Sequence, residues 1–194
     1  NHSSSVRSSC MKSLSTLAEN SNNNNNTEII SKYVFPSLAE ILQQSESHNT
    51  LIFSALEMLR VVLPLGNNVG KAANSGLLFP LTTMIIDDDG GGSKKFGIED
   101  NSFEAARLAL EILLTMATND ERVIKTLISQ GALHSVCQVL LKVGAGDCLL
   151  QRKKMAIELL IVLVNDKDRK SRSSIVEQLY KNMAVVVGLC RAFG

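Results

Sequence analysis

Gly66-Asn67-Asn68-Val69-Gly70-Lys71-Ala72 comes nearest to a chemical motif, because glycines followed by a lysine can cradle a phosphate. A phosphate loop needs four residues between its glycines, a Ser or Thr after the lysine to hold magnesium, and a strand before it. Here three residues separate the glycines, Ala72 replaces the hydroxyl, and a helical pattern precedes. No nucleotide site is read. Gly90-Gly91-Gly92-Ser93-Lys94-Lys95 has neither flanking strand nor flanking helix and reads as a loop. His2, His48 and His134 share no catalytic or metal-binding spacing, and Cys10, Cys137, Cys148 and Cys190 form no CxxC pair. With no GxSxG, HExxH or Cys/His arrangement either, the expectation is a protein that is not an enzyme and uses no cofactor or metal.

A different pattern is better placed to do recognition chemistry. Four short cores, SLSTL, ALEML, ALEIL and AIELL, begin at Ser13, Ala55, Ala109 and Ala156. Their third positions are Ser15, Glu57, Glu111 and Glu158, so three equivalent carboxylates recur, suited to pairing with Lys or Arg of another protein. The next positions, Thr16, Met58, Ile112 and Leu159, add an apolar strip that suits an amphipathic helix. The candidate partner-binding surface is therefore Glu57, Met58, Arg60, Arg107, Glu111, Ile112, Lys154 and Glu158. The competing explanation is that Glu is simply a good helix former on a solvated face. Gln151-Arg152-Lys153-Lys154, with Lys167-Asp168-Arg169-Lys170 and Arg172, predicts a basic patch, against which stands the ordinary use of basic residues at helix ends.

Those positions need helices to carry them. The four cores are separated by 42, 54 and 47 residues and lie in segments 6–18, 51–63, 103–117 and 151–164. Each segment places apolar or small residues at i, i+3, i+4 and i+7, as in Ala106, Ala109, Leu110, Leu113 and Ala117, the stripe of an amphipathic helix. Between them recurs a short helix, a break and an apolar helix: ISKYVFPSLAEIL, GKAANSGLLFPLTTMI and IKTLISQGALHSVCQVLL. Gly76 and Gly131 stand at equivalent breaks, where a left-handed residue can end one helix and turn the chain into the next. At the first break Pro36 can open a helix. A partial unit follows over 171–193. Apolar residues make up 45% of the chain and aromatics 4%, with three prolines, which favours packed aliphatic helices over strands. The formal charge of +1 argues against nucleic acid as partner, and no apolar run reaches the length of a membrane span.

A three-helix unit with a glycine turn and a final helix reading roughly "A..AL..L" resembles the armadillo repeat family. The clearest copy runs from Asn119-Asp120 through Gln130-Gly131-Ala132-Leu133 to Met155-Ala156-Ile157. HEAT repeats are the near neighbour, and the three-helix count with its glycine turn favours armadillo. The resemblance implies an all-α, right-handed α-α superhelix, with about three full repeats and partial ones at both ends. One domain over 1–194 is expected, and the start without Met suggests a fragment of a larger protein; the composition of 20–26 and 87–101 predicts flexible loops. The resemblance further implies a scaffold or adaptor whose third helices line a groove for an extended or helical segment of another protein. The Asn and Trp by which importin-alpha-type members clamp peptides are absent, so cargo recognition is not carried over. QVLLKVGAGDCLLQRKKMAIELL is also similar to the terminal repeats of plant U-box ubiquitin ligases, where a loop and a basic patch precede the final helix. The alternative function is therefore the substrate-recruiting region of such an enzyme. A chaperone-gripping nucleotide-exchange role is a third option without residue-level support. The expected location is cytoplasmic or also nuclear, and apolar repeat ends are expected to allow self-association.

Overall fold

The computed structural model describes residues 13, 16, 28–43, 49–64, 68–86, 99–142, 146–165, 173, 175–177 and 179. Helix accounts for 89% of these, with no strand among them, so the fold is all-α. The chain divides into two compact units, Asn1–Pro80 and Leu81–Gly194. The helices are α1 (Phe35–Gln43), α2 (Asn49–Val62), α3 (Asn68–Asn74), α4 (Leu78–Met84), α5 (Glu99–Asn119), α6 (Glu121–Ser129), α7 (Ala132–Leu141) and α8 (Asp147–Val164). The predicted order of short helix, second helix and long helix appears as α3-α4-α5 and again as α6-α7-α8. The loop expected over 20–26 lies outside the described residues, as do the first helical segment's remaining positions and 87–98. Residues 99–101, expected to belong to that second loop, are instead the first turn of α5. Glu99 and Asp100 are residue types that a helix N-terminus favours.

In the first unit, the expected break before α1 is replaced by continuous helix. A π-turn spans Ile30–Val34 and runs directly into α1, with the Phe35 N–H donating to the Ile30 carbonyl. Pro36, the second residue of α1, supplies no N–H and its ring would crowd the carbonyl four residues back. The wider π-turn accommodates both defects. α1 and α2 pack on each other, and Phe35, Leu38, Ala39 and Leu42 of the first and Ile52, Leu56, Leu59 and Val62 of the second are all buried. Buried Asn68 opens α3, and its side-chain amide donates to the carbonyl of Val62 at 3.1 Å. That carbonyl ends α2 and has no partner within its own helix. The glycine- and lysine-containing stretch that suggested a phosphate loop is, in its described part, the opening of α3.

The α3–α4 and α6–α7 turns follow the sequence closely. Gly76 and Gly131 adopt φ of +84° and +81°, the only positive values among the described residues. A side chain there would meet open space, so glycine is required by the backbone conformation and not by crowding. Asp120 caps α6 by accepting the Arg122 N–H at 2.9 Å. In the second unit, α8 packs most extensively on α5, then on α7. The shared core includes Leu108, Ala109, Ile112, Leu113 and Met116 of α5, Leu133 and Val136 of α7, and Ala156, Leu159 and Leu163 of α8.

Candidate functional site

The long helix α5 shows how burial selects its outward residues. Between Ala105 and Ala117, every residue is buried except Arg107, Glu111, Leu114 and Thr115. At about 100° per residue these four, with Glu104 and Thr118, fall within one arc of roughly 100°. Two of the sequence-predicted residues, Arg107 and Glu111, therefore stand on the outward arc of α5. Arg107 grips Glu104 through two hydrogen bonds, its Nε reaching one carboxylate oxygen at 2.7 Å and Nη2 the other. Its Nη1 donates to Glu111 at 3.2 Å. The Glu104 hydrogen bonds chiefly, with both carboxylate charges, hold the guanidinium more firmly protonated than usual. The spacings i,i+3 and i,i+4 are those at which a helix brings side chains together.

In the first unit, Glu57 forms the same kind of pair with Arg60 at 3.3 Å, and Met58 beside it is half-buried. Two of the three predicted carboxylates are thus already matched to a guanidinium on their own helix. Glu158 on α8 is half-buried and Lys154, one turn earlier, is exposed; among the described residues neither is in an ion pair.

Three expectations about the surface are corrected. Ile112 is 1% exposed and belongs to the core, as does Leu159, so in the second unit the apolar strip beside the glutamates is internal. Removing a buried Ile costs about 2–5 kcal/mol, so Ile112 is a stability determinant. The segment Gln151–Lys154 lies inside α8, as the helical segment 151–164 implied, and so departs from the U-box pattern in which the basic patch precedes the final helix. Within it, Arg152 is not a surface residue. It is fully buried, and its Nη2 donates to the Ile85 carbonyl at 3.3 Å, just past the end of α4. A helix C-terminus offers unsatisfied carbonyls and the negative end of the dipole, so a buried cation is accommodated there. The only sequence signal for this tether was position: Arg152 lies four residues before Ala156, on the buried face. Residues 166–172 of the proposed patch lie outside the described residues.

Among the described residues, no group of His, Cys, Asp and Glu could hold a metal ion, and no helix is long and apolar enough to cross a membrane. Cys137 is buried on α7, where desolvation raises its thiol pKa, and Cys148 is exposed. Compared with known proteins, the chain matches no family model, no curated protein and no solved structure.

Proposed function

We propose that this chain is an armadillo-type interaction module that binds a segment of another protein along the outward faces of its long helices. The observation that carries this reading is the face of α5. Over residues 104–118 this helix presents one narrow arc among buried residues, and that arc holds Glu104, Arg107 and Glu111 in a hydrogen-bonded arrangement. Ordered guanidinium and carboxylate groups at a surface favour recognition of matching polar groups, because little side-chain freedom remains to be lost on binding. The repeated helix order and the two left-handed glycines support the armadillo assignment.

The test is selection of displayed peptides on the immobilised chain and on a Glu111→Lys/Glu158→Lys variant matched for helicity. A peptide family enriched on the first and lost on the second supports the reading. Identical selections, or none enriched on either, refute it.

A further inference from the structure

The long helices α5 and α8 correspond through Ala109 and Ala156, and at this register their burial differs along one side. Leu110, Leu113 and Ala117 of α5 are buried, whereas their counterparts Ile157, Leu160 and Val164 on α8 are half-buried or exposed. With Leu150 (68% exposed) and Ile161 (52%), these residues leave α8 with an aliphatic face roughly opposite its core residues Arg152, Ala156, Leu159 and Leu163. Leu150, Lys154, Ile157, Ile161 and Val164 are spaced by four, three, four and three residues. That alternation is the seam of a paired helix, with one basic residue set in it.

We propose that this face of α8 is covered by the same face of a second copy of the chain, the two helices running antiparallel about a two-fold axis. Self-pairing is favoured by the internal symmetry of the seam and by its flanking charges. An antiparallel register that sets Leu150 against Ile161 also sets Lys154 against Ile157 of the second copy. The lysine stem then lies over apolar surface while its ammonium reaches Glu158 of the second copy, and the symmetry makes this pair twice. Among the described residues, neither Lys154 nor Glu158 is engaged in an ion pair, so both can face a second copy. Antiparallel helices bring like-lettered flanks together, which is why both charges fall on one side of the seam.

Sedimentation equilibrium of the purified chain tests this with no other protein present, so it stands or falls separately from partner binding. The expected result is a monomer–dimer equilibrium in the micromolar to sub-millimolar range. Lys154→Glu should weaken it about tenfold or more by placing carboxylates opposite each other, and Lys154→Glu/Glu158→Lys should restore it to near the original value. Ile161→Gln should abolish it, with circular dichroism unchanged in all three variants. A chain that stays monomeric overturns the proposal. So does association that ignores the charge reversal, or that the double reversal fails to restore.

Discussion

Replacing Arg152 with alanine separates a buried tether from a surface charge. In the structure the side chain is fully enclosed, and its guanidinium bonds the Ile85 carbonyl at the end of α4. Truncation removes a charge-assisted hydrogen bond, leaves that carbonyl short of a donor beside a buried position, and opens a space where a long side chain lay. The first two effects together amount to about 1.5–3 kcal/mol and the cavity adds to them, so a total of roughly 3–5 kcal/mol is expected. For a chain of 194 residues, each kcal/mol moves the thermal midpoint by about 2–4 °C, which puts the loss near 10 °C. Arg152→Lys keeps the charge without the planar fork and should recover part of the loss. Gln151→Ala, one residue earlier and exposed, should stay within about 0.5 kcal/mol of the parent. Thermal melts followed by circular dichroism give all three values. If Arg152→Ala melts within about 2 °C of the parent, the side chain is not holding α8 to the end of α4 and the tether argument is wrong.

Three other outcomes follow from local structure. Gly131→Ala should cost about 1 kcal/mol, because φ is +81° and the added methyl meets nothing within 4 Å; Gly131→Asn should lose less, and equal melts for parent and alanine variant would contradict a left-handed turn. Cys137 should resist maleimide in the folded chain while Cys148 is labelled, as read by peptide mass spectrometry. Its raised thiol pKa also carries a sign for stability. The folded state holds the proton more tightly than the unfolded chain, so stability is undiminished below the ordinary value of about 9 and falls as pH rises past it. Cys137→Ala should remove that alkaline loss, and an unchanged pH profile would count against it.

The helices and their order were legible because burial is one-sided and periodic: segments 51–63, 103–117 and 151–164 each fall within or beside one long helix. Gly76 and Gly131 were legible because a single backbone requirement explains a glycine at an equivalent break. Pro36 does stand in the first turn of α1, but the break expected before it is a π-turn continuous with that helix. The surface was harder to read than the helices. Ile112 and Leu159 follow the glutamates directly in sequence, but 100° of helical rotation carries them into the core. Arg152 looked like one member of a basic run, and only the position of Ile85, distant in sequence, shows why a cation can be internal.

The pairing of Arg107 with Glu104 and Glu111 also changes what the carboxylate row can do under the proposed function. Free glutamates in register would present a negative field, attracting basic segments over about 8 Å at physiological salt. On α5, two carboxylates and one guanidinium leave a net charge of one, distributed over a hydrogen-bonded cluster. Ion pairs within one helix and open to solvent on one side add about 1 kcal/mol or less each to stability, so the cluster contributes little to holding the fold. Its consequence is geometric. A ligand cation must share carboxylate oxygens already oriented by Arg107, and a ligand carboxylate could meet the guanidinium only by displacing one of them. Discrimination on this face therefore depends on fit to an ordered set of donors and acceptors, with long-range charge attraction secondary.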